Sequence, residues 1–258
     1  MNPDDHEALA AQLAAAGFVA AEEEAEELLA RAAGDAVLLD SLVQRRLTGE
    51  PLAWITGKVE FCGLEIRVDP GVYVPRWQSE LLARRAVERL PANGTAIDLC
   101  TGAGAIATTL STKRPGARVV ASDVDERAVA CARANGVEAY VGDLFAPLPS
   151  ALEGRVDVVV GVVPYVPTPD LPLLQRDTLT FESTLSYDGG PDGTDILRLV
   201  LTDSPRFLAP GGAVLLELGA DQPDALADDF DRLGYANVTV LHDEDGDVRG
   251  VEATWAQR

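Results

Sequence analysis

The chain has 258 residues, enough for one large domain or two small ones, and 47% of them are hydrophobic, which is enough for a folded core. A total of 21 Lys and Arg against 42 Asp and Glu gives a formal net charge of −21. A field of that sign repels the phosphates of nucleic acids and of anionic membranes, so we expect direct contact with neither. A basic protein partner is compatible with it.

The cysteines and histidines do not indicate a metal site. Cys62, Cys100 and Cys131 lack metal-ligand spacing, and the chain has only two histidines, so no bound metal is expected. Few, unpaired cysteines are typical of a reducing compartment. The first residues lack the pattern of a signal peptide, and no apolar run is long enough to span a membrane. We therefore expect a cytoplasmic protein.

The first third of the chain divides into helical and hairpin segments. Residues 4–48 are rich in Ala, Leu and Glu and are predicted to be helical. Alternation of apolar and polar residues predicts a β-hairpin made of Trp54–Phe61 and Leu64–Val68. A helical period resumes over Ser79–Leu90. These segments predict an N-terminal helical domain (1–48), a β-hairpin linker (49–75) and a larger domain (76–258).

The larger domain alternates strand-like and helical stretches. The predicted strands are Thr95–Leu99, Arg118–Ser122, Glu138–Val141, Val156–Val162, Ala213–Leu218 and Asn237–Leu241. The predicted helices are Ala105–Lys113, Glu126–Asn135, Thr194–Phe207 and Pro223–Leu233. This alternation, with nearly continuous apolar strands, is typical of a doubly wound, largely parallel, Rossmann-like α/β sheet.

A glycine-containing loop follows the first of these strands and leads into a helix. Glycine lets the backbone turn tightly and approach a ligand, and a helix N-terminus supplies unpaired N–H groups. Asp123 ends the next strand, where a carboxylate can hold both hydroxyls of a ribose. The loop is therefore predicted to cradle one end of a nucleotide-type cofactor through Cys100, Thr101, Gly102, Ala103 and Gly104.

Two cofactors fit this loop. Gly102-x-Gly104-x-x-Ala107 also matches the dinucleotide fingerprint, which would indicate an NAD-dependent oxidoreductase. Asp98, at the end of the first strand, favours S-adenosylmethionine, because a carboxylate there can take its sulfonium or amino-acid end. The later segment Gly142-Asp143-Leu144-Phe145 agrees, since Asp143 with Leu144 could meet an adenine ring and accept from its amino group. We expect S-adenosylmethionine.

Several motifs occur in a defined order along the chain. They include Glu50-Pro-Leu-Ala-Trp-Ile-Thr-Gly57, Val74-Pro75-Arg76, Asp98–Ala107, Phe181-Glu182, Asp188–Gly193 and Gly211-Gly212 to Glu217. Together they resemble the HemK/PrmC-type protein-glutamine N-methyltransferases. The resemblance implies a seven-stranded class I methyltransferase domain behind a small helical domain, with S-adenosylmethionine as methyl donor. It also implies that the acceptor is a glutamine of a protein such as a peptide-chain release factor or a ribosomal protein.

The family's acceptor motif, Asn-Pro-Pro-Tyr, reads Val162-Val163-Pro164-Tyr165 here. The resemblance makes these four residues the catalytic segment, with Val162 also near the cofactor. In the family, the Asn side chain and a neighbouring backbone carbonyl accept hydrogen bonds from the substrate amide. A PrmC-related subgroup of unassigned substrate also tolerates a small residue at the second position.

Valine at position 162 removes one of these acceptors, while the carbonyl of Val163 remains and Tyr165 can still wall the pocket. A lost buried hydrogen bond costs about 1–3 kcal/mol, or roughly ten- to a hundredfold in rate. Three interpretations stay open. The chain methylates a protein glutamine, slowly or with help from another residue; it methylates a different acceptor, such as a small molecule; or it binds the cofactor without turnover. We expect the first.

Overall fold

The computed structural model describes residues 3–174 and 176–256. Its α-helices are α1 (Pro3–Ala15), α2 (Ala21–Ala32), α3 (Ala36–Leu47), α4 (Leu52–Thr56), α5 (Glu80–Arg89), α6 (Ala105–Lys113), α7 (Glu126–Ala134), α8 (Arg176–Phe181), α9 (Asp195–Phe207), α10 (Gln222–Ala225) and α11 (Ala227–Leu233). Its strands are β1 (Lys58–Phe61), β2 (Leu64–Arg67), β3 (Thr95–Leu99), β4 (Arg118–Asp123), β5 (Glu138–Val141), β6 (Val156–Gly161), β7 (Leu208–Leu216), β8 (Tyr235–His242) and β9 (Val248–Trp255). Within these ranges no helix combines the length and apolar character needed to cross a bilayer.

Seven strands form one mixed sheet in the order β5-β4-β3-β6-β7-β9-β8, which confirms the predicted α/β class. The first five strands in this order pair in parallel, and β9 pairs antiparallel with both of its neighbours. The strand order reverses beside β3, because β4 and β5 lie on one side of it and β6 on the other. Ligands of such sheets bind outside the carboxyl ends of the strands at this switch point.

Both faces of the sheet are covered, so its central strands are apolar on both sides. On one face, Val158 and Val160 of β6 belong to a cluster that includes Phe61 and Ile66 of the hairpin. On the other face, Val159 belongs to a cluster with residues of α9 and α11. The hairpin packs against α6, which itself covers β3 and β4, and the Cys62 N–H donates to Glu80 of α5 at 2.9 Å, so the segment after the hairpin reaches the edge where ligands bind.

The N-terminal helices are built around a cluster of their own, as the sequence predicts for residues 4–48. Leu13, Leu28 and Leu42 are buried in it, together with Ile55 of α4. Arg46 also joins α3 to α2 through a two-pronged ion pair with Glu24, at 2.6 Å and 2.9 Å. A bidentate pair of this kind fixes the relative orientation of the two helices.

The predicted hairpin strand Trp54–Phe61 is wrong in its first half. Residues Leu52–Thr56 form helix α4, which ends at Gly57 in the left-handed region with a φ of 85°. Strand pairing begins only at Lys58. The Trp54 side chain is turned inward, and its indole nitrogen donates to the carbonyl of Val72 at 2.8 Å. Apolar alternation over a few residues does not distinguish a strand from a short buried helix.

Other boundaries also differ from prediction. Strand β6 ends at Gly161, so Val162 lies in the loop beyond it. Strand β7 spans Leu208–Leu216 instead of Ala213–Leu218, and β8 is longer than the predicted Asn237–Leu241. The predicted helix Pro223–Leu233 is divided into α10 and α11. Backbone pairing with neighbouring strands, which the local pattern does not contain, determines these ends.

Gly104 provides a test of how closely α6 and α7 pack. Its φ is 81°, and an added Cβ would lie 3.0 Å from the Ala132 Cβ and 3.1 Å from the Val137 Cγ2. Gly136 has a φ of 85° with nothing within 4 Å of such a Cβ. Gly104→Ala should therefore lower the free energy of unfolding by about 1–3 kcal/mol more than Gly136→Ala, because only the first adds overpacking to backbone strain. Equal losses in denaturant titrations of the two variants would contradict the packing described here.

Candidate active site

The loop after β3 turns through three left-handed residues before α6 begins. Cys100, Gly102 and Gly104 have φ values of 52°, 55° and 81°. The loop is held to the neighbouring strand, since the Thr101 N–H donates to the carbonyl of Ser122 at 3.1 Å. A cysteine in this region is strained, and such strain persists only where the surrounding structure imposes it. The loop presents its backbone to the carboxyl edge of the sheet.

Asp98 is buried at the end of β3 and holds this loop to α6. Its Oδ2 accepts hydrogen bonds from the Thr101 hydroxyl at 2.6 Å and from the Ala107 N–H at 3.1 Å. Burial raises the pKa of Asp98 to about 7, although both hydrogen bonds favour the charged form. A cationic ligand beside Asp98 would stabilise the charged form of this carboxyl group.

Asp123 lies at the end of β4, across the loop from Asp98. Its two carboxylate oxygens accept from the backbone N–H groups of Gly102 and Asp125, each at 2.9 Å. Burial raises the pKa of this carboxyl group as well. Each oxygen retains a further lone pair, so the group can still accept from ligand hydroxyls.

A cavity of about 450 Å³ opens at this edge of the sheet, within the range of small-molecule sites. Eight of the predicted site residues line it: Asp98, Cys100, Thr101, Gly102, Ala103, Asp123, Val162 and Pro164. The structure thus brings the loop after β3, the end of β4 and the segment after β6 together around one space.

Five predicted residues do not line this cavity. Gly104 is covered by α7, and Val163 is buried with 1% exposure. Asp143 and Leu144 line a separate, smaller cavity instead, and the Leu144 carbonyl accepts from the Ser122 hydroxyl at 2.6 Å. Asp143 is nevertheless close enough for its charge to help raise the pKa of the Cys100 thiol, after the larger effects of burial, Asp123 and Asp98. Its contact with adenine stays a prediction.

Tyr165, the fifth of these residues, turns away from the cavity. Its hydroxyl donates to the buried Glu217 at 3.0 Å, and its carbonyl accepts from the Gln222 side chain at 2.7 Å. Burial and the neighbouring Glu217 raise the pKa of the Tyr165 hydroxyl. The tyrosine therefore braces the Val162–Pro164 segment from behind.

The opposite wall of the cavity comes from residues that the sequence analysis did not assign to the site. They are Phe61, Tyr73, Pro75, Ser79, Ser183, Leu185 and Ser186, among others. Glu182 joins the two segments that carry most of them. It accepts from the Val74 N–H at 2.9 Å and pairs with Arg76 at 2.5 Å. The Pro-Arg and Phe-Glu motifs were visible in the sequence, but their contact with each other was not.

The charge of the cavity wall favours one of the two cofactors. Asp98, Asp123 and Asp125 line it, and Arg127 is paired with Asp125 at 2.7 Å. A pyrophosphate would meet these carboxylates with unfavourable charge, whereas an ammonium or sulfonium group would be stabilised by them. Together with the backbone N–H groups of the loop after β3, these carboxylates form a set of groups that fits S-adenosylmethionine.

The strand order with antiparallel β9, together with the acidic loop site after β3, defines a class I methyltransferase. A family model described as methyltransferase small domain matches residues 64–160. A solved structure with this fold is the E. cuniculi Mtq2–Trm112 complex, with a TM-score of 0.53 at 22% identity, covering 72% of this chain and 99% of that one. At this identity the likeness concerns the fold alone.

Curated relatives identify the family. A release factor glutamine methyltransferase of Moorella thermoacetica is 39% identical over 86% of this chain and 80% of its own length. One from Mycolicibacterium smegmatis is 33% identical over 96% of this chain and 95% of its own length. The chain belongs to the release factor glutamine methyltransferase family and is an S-adenosylmethionine-dependent methyltransferase. The alternative of an NAD-dependent oxidoreductase is therefore wrong.

The raised pKa of Asp98 predicts how cofactor affinity depends on pH. Below about pH 7 the group is protonated, so binding an ammonium beside it requires loss of a proton and is weakened. Affinity for S-adenosylhomocysteine should therefore rise from about pH 5 to about pH 8 and level off above the pKa. Calorimetric titration across this range measures it. Asp98→Asn, which cannot ionise, should flatten the profile; an unchanged slope in that variant would assign the titration to another group.

Proposed function

We propose that this enzyme methylates the side-chain amide nitrogen of a glutamine in a peptide-chain release factor. The observation that carries the proposal is the shared cavity, in which the acidic loop after β3 faces one space with Val162 and Pro164. The relatives named above are release factor glutamine methyltransferases, and they cover most of the chain. A donor site and an acceptor wall on one cavity are what direct methyl transfer requires.

The donor side of the cavity is assigned as follows in this proposal. The backbone of Cys100–Gly104 and the carboxylate of Asp98 hold the amino-acid end, Asp123 holds the ribose, and Asp143 with Leu144 meets the adenine. When bound, S-adenosylmethionine supplies an electrophilic methyl group on its sulfonium sulfur. Asp98 and Asp123 contribute negative charge, which is opposite in sign to the sulfonium and ammonium groups of the cofactor.

The acceptor side consists of Val162, Val163 and Pro164, with Tyr165 behind them. An amide nitrogen is a poor nucleophile because its lone pair is delocalised, so the protein must orient it and exclude water. The segment of residues 182–187 supports this role, because Glu182 ties it to the residues around Val74 and its serines line the cavity. Closing the cavity in this way removes competing solvent from the acceptor.

The proposal also assigns the domains of the chain, its location and the kind of partner it binds. We assign residues 1–48 to a helical domain, 49–75 to the hairpin linker and 76–258 to the methyltransferase domain, with a cytoplasmic location. The formal net charge of −21 suits a basic protein partner and disfavours direct contact with nucleic acid or a membrane surface.

The direct test is transfer of a labelled methyl group. We expect purified enzyme with labelled S-adenosylmethionine to label a release factor, and not the same factor with its acceptor glutamine replaced by alanine. Ribosomal proteins and a small-molecule extract are tested as methyl acceptors in parallel reactions. Label that appears only in a ribosomal protein or a metabolite would reassign the substrate. Cofactor binding with no label in any sample would indicate a protein that binds without turnover.

A second test concerns the missing asparagine. Val162 lines the cavity and has no polar atom, so Val162→Asn should restore a hydrogen-bond acceptor for the amide. We expect kcat/KM for the release factor to rise, by up to about tenfold, with unchanged affinity for S-adenosylhomocysteine. Val162→Leu is the matched control, since it changes shape without adding an acceptor. A rise in both variants would show that volume, not hydrogen bonding, limits the natural enzyme.

A further inference from the structure

The motif Asp188–Gly193, called the glycine turn below, lies against the backbone of the loop after β6. The Val166 N–H donates to the carbonyl of Tyr187 at 2.8 Å, and the Gly189 N–H donates to the carbonyl of Val166 at 2.9 Å. These two bonds form a short parallel bridge between the loop and the start of the turn. The loop that carries Val162 and Pro164 is therefore backed by a segment that follows it by more than twenty residues.

Two glycines of the turn make this close approach possible. A Cβ added at Gly189 would lie 2.8 Å from both the Pro164 carbonyl oxygen and the Tyr165 Cα. Gly193 has a φ of 75°, and a Cβ there would clash with the Tyr165 carbonyl oxygen and the side-chain amide of Gln222. The observed position of the loop after β6 consequently requires residues without a side chain at both places.

Gln222, the first residue of α10, joins three segments of backbone and is only 6% exposed. Its Nε2 donates to the carbonyls of Tyr165 and Asp192, at 2.7 Å and 3.3 Å. Its Oε1 accepts from the Gly219 N–H at 2.7 Å. A buried amide that is paired at both ends resists displacement, because moving it would leave polar groups unpaired. Gln222 thus links the loop after β6 to the glycine turn and to the loop after β7.

The placement of this backbone matters because the wall it forms has no polar side chain. Val162 and Pro164 line the cavity, and neither side chain has a polar atom, while the Tyr165 hydroxyl is bonded to Glu217. The polar groups that the loop after β6 can present to an acceptor are therefore those of its backbone. A side chain can change rotamer to meet a substrate, whereas a backbone group lies where the surrounding structure holds it.

We propose that Gln222 is a positioning residue for methyl transfer, which acts with the glycine turn by holding the backbone of the loop after β6 against the cavity. The proposal rests on the proposed function for the identity of the acceptor, but not for the placement of the loop. The donor side is held separately, through the bonds of Asp98 to Thr101 and of Asp123 to Gly102. Loosening the loop after β6 should therefore slow transfer and leave cofactor binding little changed.

Two substitutions of Gln222 test this role. Gln222→Glu keeps the shape and the oxygen that faces Gly219 but places a second oxygen against the two carbonyls, and Gln222→Met removes both polar ends without adding charge. We expect each to lower kcat/KM for a release factor about tenfold or more, with little change in affinity for S-adenosylhomocysteine. Natural kcat/KM in both variants would overturn the proposal, and so would a loss of cofactor affinity as large as the loss of rate.

A pair of glycine variants separates contact with the loop from backbone strain. Gly211, in β7, has a φ of 81° and nothing within 4 Å of an added Cβ. Gly193→Ala and Gly211→Ala therefore both strain the backbone, but only the first pushes against the Tyr165 carbonyl. We expect kcat/KM to fall in Gly193→Ala and to stay near the natural value in Gly211→Ala. Equal rates in these two variants would contradict the role of the turn.

Hydrogen exchange measures the placement of the loop without any turnover. In Gln222→Met, the Val166 N–H should exchange faster, while the Ala107 N–H, which is bonded to Asp98, should keep its natural rate. Unchanged exchange at Val166 would overturn the inference whatever the acceptor is. If Val166 exchanges faster but the natural enzyme labels no release factor, the proposed function fails instead, and kcat/KM is compared on the acceptor that takes the label.

Discussion

The carboxylate of Asp98 determines how the loop after β3 is arranged against α6. It lies in the middle of the sheet, where β3 pairs with β4 on one side and β6 on the other. Helix α6 begins after Gly104, which has no side chain to cap it, and Asp98 accepts from the Ala107 N–H instead. A strand side chain thus satisfies one of the unpaired N–H groups of the helix start. The loop between them must turn tightly, which explains its left-handed residues.

Keeping the Asp98 carboxylate charged in this buried position costs free energy, and a bound cation can offset that cost. Burial disfavours the charged form of Asp98, and Asp123 nearby adds charge of the same sign. A bound cation reverses both effects, because it pairs with carboxylates that are otherwise poorly compensated. The charge of the cavity therefore favours a cationic ligand over a pyrophosphate, independently of any contact with an adenine ring. This also explains why a dinucleotide fingerprint in the loop does not by itself identify the cofactor.

The loop after β6 and the segment around Glu182 are held by contacts between distant parts of the chain. Glu182 binds Val74 and Arg76 and so connects the segment after the hairpin to the segment after α8. Tyr165 and Glu217 brace the loop after β6 from behind. The contacts that support the loop after β6 consequently come from several elements of the chain.

The local pattern of the chain determined the sheet strands near the switch point and the acidic residues at their ends. Thr95–Leu99 and Glu138–Val141 form as predicted, and Asp98 and Asp123 line the cavity, because both features depend on short apolar runs and their immediate flanks. Only the tertiary structure decided that Trp54 is helical, that Tyr165 turns away from the cavity to contact Glu217, and that Glu182 binds Val74 and Arg76. These outcomes depend on packing between segments that are distant in sequence, such as Tyr165 with Glu217, 52 residues away, which no local period contains.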